Sequence, residues 1–144
     1  MSTDASAAHV RVLVADDQEP FRKAARAVLA AMVEFELVGE AASGEEAVDA
    51  AARFGPDLVL MDVHMEGIGG VEAARRIRVA QPDASVILVS SYRAEDLATA
   101  VAEAGAVAFL AKDRFGPAAL RELWASRTEG RPPRDRAERP SLGG

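Results

Sequence analysis

Five short apolar runs recur along the chain and constrain its fold more than any other feature. The runs are VRVLVA (10–15), FELVGEA (35–41), DLVLM (57–61), SVILVS (85–90) and AVAFLA (106–111). Their length and their Val, Ile and Leu content are typical of strands that are buried on both faces of a sheet, although periodicity alone does not exclude a buried helix for runs this short. Because the segments between them have helical spacing, strand and helix alternate five times. This order predicts a parallel sheet covered by helices on both faces.

Capping signals mark the ends of the predicted helices. Pro20 suits the first turn of a helix that begins behind Asp17, and Ser43 with Glu46 matches a capping box. Gly105 stands where a left-handed residue is expected to end the fourth helix. The fifth helix is predicted to begin at Gly116 and Pro117. The residues predicted to face the core are Phe21, Ala24, Val28 and Met32 in the first helix, Leu97, Val101 and Ala104 in the fourth, and Leu120, Leu123 and Trp124 in the fifth.

The regular alternation ends near Arg127, which sets the predicted domain boundaries. Residues 9–127 contain enough apolar material for one globular domain, since 49% of the chain is hydrophobic. Residues 128–144 carry Pro and Arg but few apolar side chains, so we expect a flexible tail, and residues 1–8 are predicted to be disordered. The alternative for the tail is an Arg-bearing contact with an acidic partner.

Composition excludes several classes of protein. The chain has no cysteine, so a disulfide framework, a zinc-thiolate site and a cysteine nucleophile are ruled out. The formal net charge of -6 disfavours direct binding of nucleic acid by the body of the domain. The sequence has no signal-peptide pattern, and no apolar run approaches the roughly 20 residues needed to span a bilayer. We therefore expect a cytoplasmic protein without membrane insertion.

Polar residues follow four of the predicted strands, at the ends where ligands bind in a parallel sheet. Strand one ends in Asp16 and Asp17, strand three in Asp62, strand four in Ser90 and Ser91, and strand five in Lys112. Three carboxylates at one edge would repel one another and raise one another's pKa unless a cation intervened. Oxygen ligands of this kind suit Mg²⁺, so the pattern predicts a magnesium site.

The same edge carries groups that suit a phosphoryl group. The hydroxyl of Ser90 and the ammonium of Lys112 would complement its oxygens. The set therefore predicts phosphoryl transfer with Asp62 as the nucleophile, because a carboxylate that attacks phosphorus forms an acyl phosphate. Each residue also has a simpler reading on its own. Asp17 could cap the first helix, Asp62 could begin a turn, Ser90 could satisfy a backbone group and Lys112 could simply be solvated.

Four stretches, VLVADDQEPFR, PDLVLMDVHMEGIGGVEAARRIR, VILVSSY and GAVAFLAKD, resemble the receiver domain of two-component response regulators. The resemblance spans residues 9–127. It implies a doubly wound, flavodoxin-like (βα)5 fold, an α/β fold whose five parallel strands have the order 2-1-3-4-5. It also implies a phosphorylation-dependent signalling switch that catalyses only its own phosphotransfer and slow autodephosphorylation, and is otherwise no enzyme.

The resemblance implies a role for each carboxylate. Asp62 would accept a phosphoryl group from a sensor histidine kinase or a phosphotransfer protein. Asp17 and Asp62 would bind Mg²⁺ directly together with the backbone carbonyl of His64, while Asp16 would act through water.

The resemblance also implies how the signal leaves the site. Ser90 would turn toward the phosphoryl oxygens, Lys112 would pair with them, and Phe109 would rotate inward behind Ser90. The fourth helix, fifth strand and fifth helix would then present a changed surface to an unknown downstream protein, or to a second copy of the chain in a homodimer. Phe109 could equally be a core residue.

Three positions depart from the family pattern. Glu66 stands where a proline usually follows the methionine, which removes a rigid φ angle and adds a carboxylate near the site. Asp113 replaces the proline that often follows the lysine. Ser91 occupies a position that alanine or glycine usually holds, and it narrows access to Asp62.

Other functions are separable from the switch. The chain could be the receiver part of a DNA-binding transcriptional regulator whose output domain is absent or supplied by another subunit. We expect the roughly 17 residues after the fifth helix to be too few for a helix-turn-helix module. A phosphatase of the haloacid dehalogenase type needs a second aspartate two residues after the nucleophile, where His64 stands. A nucleotide-binding fold is disfavoured because ADDQEP replaces the glycine-rich turn.

Overall fold

The computed structural model describes residues 9–91 and 97–127, in which five strands alternate with five helices. The strands are β1 (Val10–Ala15), β2 (Phe35–Ala41), β3 (Leu58–Asp62), β4 (Ser85–Ser90) and β5 (Ala108–Ala111). The helices are α1 (Glu19–Ala30), α2 (Gly44–Phe54), α3 (Gly69–Ala80), α4 (Leu97–Ala104) and α5 (Pro117–Ser126), with a 3₁₀ turn at Lys112–Arg114. The predicted terminal segments, 1–8 and 128–144, lie outside the described residues.

The five strands form one parallel sheet with the order β2-β1-β3-β4-β5. The chain starts near the middle of the sheet, winds outward to β2, and then returns across β1 to add β3, β4 and β5. The helices that leave β1 and β3 therefore cover opposite faces of the sheet. The predicted doubly wound α/β fold is confirmed.

Each face of the sheet has its own apolar core. Alternate strand residues such as Leu13, Val59 and Leu88 contact α2, α3 and α4, whereas their neighbours Val12 and Leu58 contact α1 and α5. Because a strand directs successive side chains to opposite faces, a strand covered on both sides needs apolar residues at every position. The unbroken apolar runs in the sequence have this physical cause. No helix in the described residues is both long and apolar enough to span a membrane.

The helix ends agree with most of the capping signals. Ser43 Oγ accepts a hydrogen bond from the Glu46 N–H, as a capping box requires. Gly105 follows α4 with a φ of 71°, in the left-handed region. The fifth helix begins at Pro117 behind an extended Gly116, as expected.

The inward faces of the helices are mostly as predicted. Val28 is half-buried and Met32 is buried, and in α4 Ala104 is buried and Val101 half-buried, while the side chain of Leu97 lies outside the described part. In α5, Leu120 is fully buried and Leu123 and Trp124 are half-buried against the core.

One alternative reading and one expectation for the first helix are wrong. Asp17 does not cap α1, because the N-cap residue is Gln18 and there is no side-chain capping hydrogen bond at this end. Ala24 is exposed, and the buried stripe of α1 consists of Phe21, Ala25 and Leu29. These three residues are four apart, so their stripe turns slightly around the helix and leaves Ala24 at its border.

Two residues of α3 test the separation between core and surface. Ile77 is 1% exposed and Val79 is 77% exposed. We expect Ile77→Ala to lower the free energy of unfolding by about 3 kcal/mol, because it removes buried apolar atoms and leaves a cavity. Val79→Ala should change it by less than about 0.5 kcal/mol. Urea unfolding measures both, and equal losses in the two variants would contradict the described packing.

Candidate functional site

The carboxyl edge of the sheet brings three aspartates together. One carboxylate oxygen from each of Asp16, Asp17 and Asp62 lies within 4.8 Å of the others. Asp16 is completely buried, Asp62 is 3% exposed, and Asp17 is half-buried. Three acidic groups at this depth repel one another strongly, since little water remains to screen them.

Strand register explains why these residues meet. Ala15 pairs with Met61 across β1 and β3, so the aspartates that follow them emerge side by side. Ser90 pairs with Ala111 across β4 and β5, which brings Lys112 to the same edge. The predicted grouping of Asp16, Asp17, Asp62, Ser90 and Lys112 at the carboxyl ends of the strands agrees with this geometry.

Lys112 is the cation that faces the aspartates. Its Nζ atom lies 2.5 Å from Asp16 Oδ2 and 3.5 Å from Asp62 Oδ1, and its side chain is only 12% exposed. A compact ammonium on a flexible stem can contact two carboxylates from one point, which a planar guanidinium does less readily. Lys112 therefore neutralises part of the acidic cluster and sits closer to Asp16 than to Asp62.

Burial and the unequal numbers of negative and positive groups at this edge shift the pKa of Asp62. Burial and the neighbouring Asp16 raise the pKa of Asp62 from 3.8 to about 6, and Asp17 adds to the increase. Lys112 and a hydrogen bond from the backbone N–H of His64 oppose the increase. Three carboxylates against one ammonium leave excess negative charge even with Lys112 in place. A hard divalent cation with oxygen ligands fits this arrangement, and the donor set suits Mg²⁺.

The loop between β1 and α1 is held by hydrogen bonds and an ion pair that the sequence pattern does not predict. Asp16 Oδ1 accepts a hydrogen bond from the Gln18 N–H at 2.8 Å. The Arg22 guanidinium donates to the Asp16 carbonyl at 2.6 Å and also pairs with Glu40 on β2 at 3.2 Å. These bonds hold Asp16 in place against the repulsion of its neighbours. The arginine could have been suspected only from its position one turn into α1.

The loop between β3 and α3, residues 63–68, is packed tightly against Asp62 and α2. A Cβ atom at Gly70 would lie 1.8 Å from the Asp62 carbonyl oxygen, so only glycine fits there. Gly67 has a φ of 81° and faces the Glu45 carboxylate, which accepts a hydrogen bond from the Ile68 N–H at 3.3 Å. The loop carries His64, so these contacts also hold the backbone next to Asp62.

The remaining predicted site residues occupy distinct environments. Ser90 is completely buried, while Ser91 is exposed. Phe109 pairs with Leu88 across β4 and β5, and it is half-buried against the core on the α2, α3 and α4 side. Glu66 and Asp113 are both exposed. The core environment of Phe109 is compatible with either packing or a switch, so its role stays a prediction.

Comparison with known proteins identifies the family. The profile described as "Response regulator receiver domain" matches residues 12–124. This match covers well over half of the chain and includes four whole strands and all but the first two residues of β1. The chain belongs to the response regulator receiver domains, a family of two-component signalling.

Individual relatives agree with this assignment. Transcriptional regulatory protein LiaR of Bacillus subtilis (strain 168) is 40% identical over 103 residues, which are 72% of this chain and 49% of that protein. The chain thus spans about half the length of the curated relatives it matches. The signal receiver domain of NarL from Mycobacterium tuberculosis superposes with a TM-score of 0.76 and 28% identity, covering 85% of this chain and 98% of that one.

A further similar structure was solved with a metal ion and a beryllofluoride group. The CheX-CheY-BeF3-Mg²⁺ complex from Borrelia burgdorferi superposes with a TM-score of 0.72 and 26% identity. It covers 81% of this chain and 87% of that one. That complex contains beryllofluoride and Mg²⁺.

The raised pKa of Asp62 predicts how the metal-free protein responds to pH. The folded chain holds a proton on Asp62 up to about pH 6, whereas the unfolded chain releases it near pH 3.8. Stability is therefore lost as pH rises between these values, by up to about 3 kcal/mol. Asp62→Asn should recover up to about 3 kcal/mol near pH 7.5, but only about 1 kcal/mol near pH 4.5.

Urea unfolding in the presence of a chelator measures this pH dependence. Asp49→Asn is the matched control, because Asp49 is exposed on α2. It should change the unfolding free energy little at either pH. Equal gains for Asp62→Asn at both pH values would show that the pKa of Asp62 is unperturbed.

Gly70 offers a test of the loop geometry. Gly70→Ala should lower the free energy of unfolding by about 3 kcal/mol, because its methyl group would overlap the Asp62 carbonyl. Gly116→Ala is the control, since Gly116 is extended and has open space around it. Thermal or urea unfolding compares the two variants. A neutral Gly70→Ala would mean that the start of α3 does not approach Asp62 this closely.

Proposed function

We propose that this chain is a phosphorylation-dependent switch whose phosphoacceptor is Asp62. A sensor histidine kinase or a phosphotransfer protein supplies the phosphoryl group from a phosphohistidine. One observation carries the proposal: Asp62 ends the central strand β3, buried among two other carboxylates and facing the Lys112 ammonium. A carboxylate in this position can act as a nucleophile while cations offset the incoming charge.

The chemical step is a displacement at phosphorus. An Asp62 carboxylate oxygen forms a bond to phosphorus as the bond from phosphorus to the histidine nitrogen breaks, and the electron pair leaves with the imidazole. Asp17, Asp62 and the His64 backbone carbonyl would hold Mg²⁺, with Asp16 acting through water. When bound, the ion neutralises charge on the carboxylates and on the transferred group.

Two further side chains act on the transferred group. The Lys112 ammonium pairs with its oxygens, and the Ser90 hydroxyl donates a hydrogen bond to them. Both contacts exist only in the phosphorylated state, so they can shift a two-state equilibrium in the segments that carry these residues. Phe109, which neighbours β4, follows Ser90 inward. The altered surface is α4, β5 and α5, which binds a downstream protein or a second copy of the chain.

A transcriptional role is the second candidate. The observation that favours it is length, since LiaR, described as a transcriptional regulatory protein, is about twice as long as the region matched. In that case DNA contact belongs to a separate output domain, because the chain has a net charge of -6. We propose a cytoplasmic location for either function. DNA binding by this chain alone would argue against the charge-based expectation.

Acetyl phosphate tests the proposed phosphoacceptor. With Mg²⁺ present, we expect intact-protein mass spectrometry to show the gain of one phosphoryl group, because Asp62 is the nucleophile of the cluster. A chelator or Asp62→Asn should abolish the gain, whereas Asp49→Asn should retain it. A phosphoryl group mapped to another residue would overturn the assignment, and sustained turnover of many phosphate esters would indicate an enzyme instead.

A further inference from the structure

Within the described residues, three groups contact the Lys112 ammonium, and one of them is aromatic. Its Nζ atom contacts Asp16 and Asp62 on one side. On another side it lies over the ring of Phe21, 5.1 Å from the ring centroid. Phe21 projects from the first turn of α1 and is 9% exposed. The ammonium is therefore enclosed between two carboxylates and a ring face.

The Phe21 ring is itself held in place. Phe115 contacts it edge to face, with ring centroids 5.2 Å apart and an interplanar angle of 63°. The N–H of Phe115 donates a hydrogen bond to the Lys112 carbonyl at 3.2 Å, which closes the 3₁₀ turn. Phe115 thus contacts both Phe21 and the backbone of Lys112. The two aromatic residues connect α1 to the turn that carries the lysine.

An aromatic face has properties that suit a lysine which must contact several anions. The ring attracts a cation through its quadrupole, and it also excludes water from that side of the ammonium. Unlike a third carboxylate, it adds no negative charge to a cluster that already has an excess. The Nζ atom stays within ion-pair distance of both carboxylates.

We propose that Phe21 is a positioning residue for Lys112, with Phe115 supporting its ring. A flat ring face allows the ammonium to move between Asp16, at 2.5 Å, and Asp62, at 3.5 Å, without losing its aromatic partner. A phosphoryl group on Asp62 draws Lys112 away from Asp16, and Phe21 guides this movement. The effect on phosphotransfer rests on the proposed function, whereas the effect on the lysine itself does not.

The chain offers a matched pair of variants. Phe21→Leu removes the ring but retains an apolar side chain, and Phe21→Tyr retains the ring. Phe35→Leu is the control, because Phe35 lies in the same core, is 5% exposed, and makes its own edge contact with Trp124. Urea unfolding confirms that each variant is folded. Differences specific to Phe21→Leu then report on Lys112.

Limited amine labelling provides the first measurement. The chain has only two lysines, and Lys23 is exposed on α1, so it serves as an internal reference. Peptide mass spectrometry gives the labelling ratio of Lys112 to Lys23 at one pH. We expect Phe21→Leu to raise this ratio by about threefold to tenfold, the range that a partly desolvated cation-ring contact supplies. Phe35→Leu and Phe21→Tyr should leave it within about twofold of wild type.

The rate of phosphorylation by acetyl phosphate at saturating Mg²⁺ is the second measurement. Phe21→Leu should slow it by about threefold to tenfold, and Phe21→Tyr should restore it. The inference is overturned if Phe21→Leu and Phe35→Leu give the same labelling ratio. It is also overturned if the wild type accepts the phosphoryl group and the two variants are phosphorylated at the same rate. If the wild type accepts none, the proposed function fails, and the labelling ratio still decides whether Phe21 positions Lys112.

Discussion

The ion pair between Lys112 and Asp16, buried at the carboxyl edge of the sheet, is the interaction on which the site depends. Without it, Asp16, Asp17 and Asp62 would form a nearly dry cluster of like charges, which the core would have to hold together unaided. One ammonium cannot neutralise three carboxylates, so the pKa of Asp62 is still raised to about 6. The residual negative charge is what makes the site receptive to a divalent cation.

The doubly wound sheet supplies the support that this cluster needs. Strands β1, β3 and β4 lie in the middle of the sheet, where apolar side chains on both faces bury them. Their burial contributes free energy that offsets the repulsion at their carboxyl ends. Residues that hold the cluster in place come from the helices and loops around it: Arg22 bonds the Asp16 carbonyl, and Gly70 allows α3 to approach Asp62. The site and the fold are therefore coupled energetically.

The sequence predicted the strands well because strands buried on both faces leave short apolar runs, and the regular alternation of these runs with helical spacing favours strand over buried helix. The sequence was less reliable at helix surfaces, because Ala24 was expected in the core and is exposed. The buried face of a helix can shift by one residue while the number of apolar residues in the helix stays the same. Asp17 was a plausible cap, but α1 begins beyond it and leaves its carboxylate in the acidic cluster. Phe21 was predicted only as a core residue, because spacing along a helix does not indicate that the lysine following β5 lies over its ring.

The sequence by itself determined the alternation of strands and helices and the polar residues at four of the strand ends, including Asp62 and Lys112. These features are local, because they depend on side-chain periodicity and on the chemistry of single residues. Only the tertiary structure decided that Lys112 lies closer to Asp16 than to Asp62, that Phe21 forms the other side of its environment, and that Glu45 contacts the loop after β3. Such distances follow from strand register and helix packing, which join segments far apart in the chain.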